Sequence, residues 1–385
     1  MQGRQDRDIS PVEKYIQRVC RFEKNALQNR ILKQFSILIW LTLLLLITSG
    51  DVSAQKQSGR VYEFLNLPPT ARITAMGGYA FPALDNDPGM ALRIPALLSG
   101  EMDNHLSLNF MDYFDDINYG TVAFTRYIEG LGRFSGSLQY INYGTFVEAD
   151  HTGHVTGQFT AGEYGFQVGW GRPLNENFSI GSNLKLVYSS FHTYSSFGVA
   201  VDVSMAYFNT DQQLAASLVL SNAGRQLTYY HDGNRESLPL DLMLGVSKEL
   251  ANAPFRFSLV ANNLHNFKLS YDDPVLLPGL FDDQNEEEDP GWSERVGNTA
   301  DNLMRHVVAG VEFIPGDNFV FRVGYNYRRR QEMKVDTRLS TVGFSWGFGV
   351  QISRFRINYG RSVYHLAGTP NHISLSTSLK ELFSN

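Results

Sequence analysis

The chain has 385 residues, with 33 Lys/Arg against 39 Asp/Glu, one cysteine and 13% aromatic residues. The acidic balance argues against a nucleic-acid partner, which needs clustered basic side chains to replace phosphate counterions. A single cysteine, Cys20, excludes an internal disulfide framework and thiolate metal sites.

Residues 1–34 are polar and carry eight Lys/Arg, the last at Lys33. An uncharged run, FSILIWLTLLLLITSG, fills 35–50, and DVSAQ follows with Val52 and Ala54 as small residues. This is the order of a secretory signal, with cleavage expected after Ala54 and a mature chain from Gln55. The n-region is long, which leaves the start codon open. The uncharged run is at the short end of the roughly 17–25 residues of a spanning helix, so an uncleaved anchor is the alternative. Cys20 precedes that run and is no lipobox cysteine. Beyond residue 54 there are 25 Lys/Arg and 34 Asp/Glu, a net charge near −9.

Residues 55–101 form the next segment. Its part ARITAMGGYAFPALDNDPGMALRIPALLSG is rich in Gly, Ala and Pro, yet apolar enough to be buried. Gly77 and Gly78 allow tight turns, and Asp85, Asn86, Asp87 and Pro88 form a turn cluster. Pro95 precedes a short helix-like ALL.

From 102 to 385 the pattern is strict period-2 alternation. In FSIGSNLKLVY, Phe178, Ile180, Leu184, Leu186 and Tyr188 share one face; Ser179, Gly181, Asn183 and Lys185 share the other. FVFRVGYNYR and VGFSWGFGV repeat the division. Fourteen such segments are predicted, centred near residues 108, 123, 138, 167, 183, 202, 218, 244, 260, 310, 323, 346, 359 and 375. No helical pattern is recognised after residue 100.

Tight turns (EGLG, NEN, TDQQ, ANAP, PGDN, SR) alternate with longer links at 144–162, 189–195, 223–238, 265–304 and 329–338. Short turns on one side and long loops on the other predict an all-β fold: a transmembrane antiparallel β-barrel of about fourteen strands, short side periplasmic. Tyr140, Tyr143, Trp170, Tyr188, Tyr207, Tyr327 and Tyr359 read as interfacial girdles. A soluble sandwich would also alternate, but with the apolar face as its core. In a barrel the segment 55–101 belongs in the mouth or lumen as a hatch, since irregular backbone at membrane depth must be buried in protein.

The charged residues on the small-polar face should point into the lumen. They are Lys185, Asp202, Asp241, Arg256, Glu312, Arg322 and Arg356. A charge facing lipid would cost about 2–4 kcal/mol at the midplane. Ser182 and Lys185 match S-x-x-K, but three apart on a strand they point to opposite faces. His151 and His154 show no third metal ligand. The tract FDDQNEEED with Trp292 (Asp282, Asp283, Glu286, Glu287, Glu288, Asp289) reads as a solvated surface loop that docks a basic partner or bridges divalent ions to lipopolysaccharide. No Ser/His/acid set shares a strand face, so no enzyme and no cofactor are expected.

The hatch segment and the strand number resemble the FadL-like outer-membrane barrels. Within them FLNLPPTARITAMGG, HLSLNFMDYFDDINYGTVAFTR, FSGSLQYINYGTF and GEYGFQVGWGRPLNENFSIGSNLKLVYSSFHTYSSFGVAVD are most similar to PorQ-like barrels of the Bacteroidetes type IX secretion system. That resemblance implies an attachment role: anchoring PorZ in a cell-surface complex with PorU and PorV. The FadL-like resemblance implies, as the alternative, uptake of small hydrophobic compounds. Ile94 departs from the pattern, standing where an Asn usually precedes the proline.

Overall fold

The computed structural model describes residues 60–269 apart from 84, 86 and 232–234, then 292–333, then 341–380 apart from 365–367. The chain divides into two compact units, Met1–Gln57 and Ser58–Asn385. The first unit, and with it the expected leader, lies outside the described residues, as does the acidic tract 282–289.

Alternation becomes strand fourteen times. The strands are β1 (His105–Phe114), β2 (Ile117–Ile128), β3 (Gly132–Ala149), β4 (Val155–Pro173), β5 (Phe178–Phe191), β6 (Tyr194–Asn209) and β7 (Leu214–Thr228). They continue with β8 (Asp241–Glu249), β9 (Phe255–Ala261), β10 (Val307–Gly316), β11 (Phe319–Asn326), β12 (Phe344–Ile352), β13 (Phe355–Ser362) and β14 (Asn371–Ser378). Each pairs antiparallel with the next, and β14 pairs with β1, so the sheet is a closed barrel without a free edge.

Burial tells which way each face points. Along β5, Leu184, Leu186 and Tyr188 are exposed while Asn183, Lys185 and Ser189 are buried. Phe321 and Val323 of β11 are exposed, and Arg322 between them is buried. An exposed apolar face around a buried polar one inverts the soluble sandwich and is the pattern of a barrel that faces lipid. Each strand pairs with both neighbours around the closed sheet, which is what permits β-structure in hydrocarbon. On the outer face Tyr140, Tyr164 and Tyr188 stack across β3, β4 and β5, with ring centroids 4.8 and 6.4 Å apart. Tyr143 does not belong to that girdle: it shares the inward parity of Gln139 and Ile141 on β3, and its hydroxyl donates to Glu163 at 2.5 Å. Nor does Tyr327 end a strand; it opens a helix.

The two barrel ends differ less regularly than the sequence suggests. Tight turns fall at 129–131, 174–177, 210–213, 250–254, 317–318 and 353–354 on one end. On the other end the expected long links 144–162 and 189–195 shrink to 150–154 and 192–193, because β3 and β4 run on to 18 and 19 residues. The register shift between Asn142 and Thr145, with Gly144 at φ 85°, lets β3 continue past the break that its sequence suggests.

Two helices also stand where none was expected after residue 100. They are Trp292–Arg305 and Tyr327–Met333. The first hides its apolar spacing, Trp292, Val296 and Leu303, among eleven mostly polar neighbours, and is braced by an Arg305–Asp301 pair at 2.7 Å. No described helix is long and apolar enough to cross a membrane; the strands do that.

Residues 61–103 fill the barrel. They contain a 3₁₀ turn Glu63–Asn66, the helices α1 (Ala71–Ala75) and α2 (Pro88–Ala91), and 3₁₀ turns at Pro95–Leu97 and Gly100–Met102. Nearly all of this segment is buried.

Candidate functional site

The lumen is the site, and the chain's own hatch occupies it. Thr70 caps α1 through its side chain, accepting from Ile73 N, and Asp87 caps α2, accepting from Gly89 N at 2.9 Å. After α1 the chain reverses at Gly77 and Gly78, both at φ +92°, a conformation that side chains other than glycine's disfavour.

The wall receives this irregular backbone in two ways. First, inward-facing glycines leave room for it. A Cβ at Gly181 of β5 would lie 2.3 Å from Pro95 C, and one at Gly360 of β13 would lie 2.2 Å from Ala71 O. The small-residue face of each strand is thus shaped for a protein filling. Second, wall side chains satisfy hatch backbone groups. Ala71 N donates to Ser374 Oγ at 2.8 Å, Ala96 N donates to Ser204 Oγ at 2.9 Å, and Ser345 donates to Ala75 O at 3.0 Å. Asn326 donates to Gly77 O, and Gln167 to Leu92 O. Each such bond removes a buried orphan that would otherwise cost about 1–3 kcal/mol.

An ionic cluster locks α1 to β9–β11. Arg72 donates to both oxygens of Glu312, at 3.1 and 3.0 Å, to Asp85 at 2.5 Å and to Asp87 at 2.9 Å. Arg256 reaches Asp85 at 2.7 Å, Glu312 at 2.8 Å and Glu249 at 2.7 Å. Arg322 reaches Glu312 at 2.8 Å and Asn358 at 2.8 Å. Burial opposes charge on Arg72 and Asp85, but the partners outweigh it. The guanidinium is held well above its ordinary value, and the Asp85 carboxyl well below the carboxylate range. Beside this cluster a cavity of about 140 Å³ at the tight-turn end is lined by Arg72, Asp85, Glu312, Val320, Arg322 and Arg356.

A second cluster pins the opposite wall. Lys185 pairs with Asp202 at 2.8 Å and donates to Asn222 at 2.8 Å. Asp202 accepts from Asn222 N at 2.8 Å, because a bulge between β6 and β7 turns both Ser221 and Asn222 inward. Asp241 stands apart, accepting from Asn263 N at 2.6 Å and lining a cavity of about 20 Å³ with Arg93 and Tyr79. Arg356 is half-buried at the mouth and bonds Gln351 at 3.2 Å rather than the inner network.

Toward the long-loop end an apolar cluster lies in the lumen beside buried Glu163, Ser189 and Ser196. Val61, Tyr62, Phe64 and Leu65 pack on Met111, Tyr119, Ile141 and Val187 as a collar, with Tyr113, Tyr143 and Tyr230 half-buried around it. A separate apolar cluster holds the hatch from below, and Ile94 lies in it, 1% exposed. An Asn there would be buried among apolar groups, which accounts for the isoleucine.

Several residues that matter here carry no motif. Arg72 is one; the signal was an arginine inside the otherwise apolar ARITAM, which burial obliges to find carboxylates. The inward glycines and Asn222 are others. Ser182 and Lys185 lie on opposite faces of β5, half-buried outward and buried inward. In the loop of His151 and His154, Asp150 accepts from Thr152 N and His154 N, at 2.8 and 3.0 Å. No group of three metal-ligating side chains occurs among the described residues. The side chain of Trp292 lies outside them.

These features define a class: a closed fourteen-stranded transmembrane barrel whose lumen is filled by its own N-terminal hatch. No family model and no curated protein matches the chain. Among solved structures it is similar to the Ralstonia pickettii toluene transporter TbuX (12% identity, 82% of this chain, 99% of that chain, TM-score 0.47). It is also similar to the P. putida toluene transporter TodX (11% identity, 80% and 98% covered, TM-score 0.46) and to the KdgM porin (6% identity, 71% and 98%, TM-score 0.30).

Proposed function

We propose that this chain is an outer-membrane channel of the FadL-like kind, which admits small hydrophobic compounds through a lumen closed by its own hatch. The observation that carries this reading is the apolar collar beneath a mouth of half-buried tyrosines. A hydrophobic solute leaving water meets aromatic faces first, then Phe64, Met111 and Ile141; the carboxylate opposite Ile141, Glu163, is buried and accepts from Tyr143. Beside the collar the β3–β4 ladder is interrupted between Asn142 and Thr145, and we place the exit toward the bilayer there. On this reading the tight turns face the periplasm. Residues 1–54 are a leader removed after Ala54, residues 55–101 are the hatch, and the chain performs no catalytic step. Outer-membrane vesicles from a host expressing the chain test it, with toluene as probe. Saturable uptake above that of vesicles lacking the chain is expected; equal uptake contradicts the reading.

A second reading has its own observation. The ionic cluster ties the hatch to the wall through several buried charges, as suits a rigid anchor more than a gate. With the PorQ-like resemblance, this favours a barrel that anchors PorZ beside PorU and PorV at a lipopolysaccharide surface, with the acidic tract 282–289 as contact. Under it, PorZ co-purifies with the barrel, and deletion of the gene releases secreted cargo from the cell surface. Absence of PorZ from the purified barrel contradicts it.

A further inference from the structure

Charge is not evenly matched within the ionic cluster. Arg72 faces the carboxylates of Asp85, Asp87 and Glu312, and Arg256 faces those of Asp85, Glu249 and Glu312. Arg322 has Glu312 alone, at 2.8 Å, and shares it with the other two arginines. Its Nε donates to Glu312 and its Nη1 to Asn358 Oδ1, which leaves Nη2 without a partner among the described residues. Arg322 is 5% exposed. A buried guanidinium is stable when paired and fully hydrogen-bonded, and this one is short of both.

Beside it lies the cavity of about 140 Å³ at the tight-turn end. Strand register explains the hollow. Val320 of β11 stands opposite Gly349 of β12, which stands opposite Asn358 of β13. Gly349 has no side chain to fill the wall; a Cβ there would lie 2.4 Å from Asn358 Oδ1 and 2.9 Å from Arg322 Nη1. Arg356, two residues before Asn358 and so on the same face of β13, lines the cavity at its mouth. It is half-buried, forms no ion pair among the described residues, and bonds only Gln351, at 3.2 Å. Two arginines with nitrogens to spare thus border one cavity.

The carboxylates around it do not cancel them. Asp85 and Glu312 are held by arginines, and Asp317 is exposed in the turn between β10 and β11. The lining sets four arginines against these three carboxylates, so it is positive by one. We propose that the cavity binds one small soluble phosphate, seated between Arg322 and Arg356. Guanidinium forks match phosphate oxygens, and bonds between two charged groups are the strong ones. The space takes several waters, whose share of liquid volume is about 30 Å³ each, or one phosphate group in their place. This inference does not depend on what the barrel transports.

Isothermal titration of the detergent-folded full-length barrel tests it at neutral pH. Inorganic phosphate is the titrant, set against sodium chloride of the same ionic strength, and heat-modifiable gel mobility verifies that each variant is folded. One phosphate per barrel is expected. Arg356→Gln should weaken binding at least about tenfold, the loss of one charged hydrogen bond. Arg126→Gln, which removes an exposed arginine of β2 outside the cavity, should leave binding unchanged. Asp317→Asn, in the exposed turn, is the second reporter should Arg356→Gln fail to fold; removing the carboxylate at the mouth should tighten binding about twofold or more. Dihexanoyl phosphatidic acid carries the same phosphate on acyl chains and separates a soluble ligand from a lipid. No phosphate binding, binding equal in Arg356→Gln and the unaltered chain, an unchanged constant in Asp317→Asn, or binding of the lipid without inorganic phosphate would each overturn the proposal.

Discussion

Arg72 of the hatch and Glu312 of β10 meet as a two-pronged ion pair, 3.1 and 3.0 Å, with both side chains at most 3% exposed. The pair joins residues 240 positions apart and sets where the hatch lies against the wall. A buried pair contributes little net stability over an apolar one, yet removing a single partner strands a buried charge. Arg72→Met should therefore destabilise the barrel by about 3–5 kcal/mol. Arg72→Lys should recover only part of this, because one ammonium cannot hold both oxygens. Urea titration of the detergent-folded barrel, read by its heat-modifiable gel mobility, checks both.

Asp85 makes the acid limit of the hatch predictable. Its folded carboxyl is held below its unfolded value of about 3.9 by Arg72 and Arg256. A depressed carboxylate adds stability above the unfolded value and loses it as pH falls toward the folded one. The urea midpoint should thus be unchanged by this group between neutrality and about pH 5, and should fall only below about pH 4. Asp85→Asn should remove that acid-dependent part and lower the midpoint at neutral pH.

Gly181 is a socket for the hatch. A Cβ there meets Pro95 C at 2.3 Å, whereas one at Gly136 meets nothing within 4 Å. Gly181→Ala should cost about 1–3 kcal/mol by overpacking and expose the hatch to protease. Gly136→Ala, facing outward, should leave the digestion pattern unchanged. Limited proteolysis followed by mass analysis of fragments from residues 61–103 distinguishes them.

Strand register fixes the cost of charge on each face. Val323 is 39% exposed on the lipid face, while Val320 lines the cavity at the mouth. Val323→Arg should cost about 2–4 kcal/mol near the midplane, and Val320→Arg should cost less. Folding titrations into lipid vesicles give the ranking.

The barrel was legible because period-2 alternation over fourteen segments has one geometric solution once the apolar face points outward. Lys185, Asp202, Asp241, Arg256, Glu312 and Arg322 are buried, and Arg356 is half-buried. Their partners were not legible. Glu312 is shared by Arg72, Arg256 and Arg322, which converge from one hatch helix and two strands, and no spacing in the sequence encodes that. Bulges were the other blind spot. One extra residue near Asn222 turns two consecutive side chains inward, whereas Tyr143 faces inward by the same alternation that buries Gln139 and Ile141. The helix Trp292–Arg305 was missed because polar residues interrupt its apolar spacing.

The account rests on the collar being the route for apolar solutes, and Phe64 is its fully buried aromatic contribution from the hatch. Placing a charge there should close the route without opening the barrel wall. The measurement is toluene uptake by outer-membrane vesicles carrying Phe64→Asp, set against the unaltered chain at matched amounts of heat-modifiable barrel. The account predicts that uptake falls to the level of vesicles lacking the protein. Uptake equal to that of the unaltered chain would contradict it.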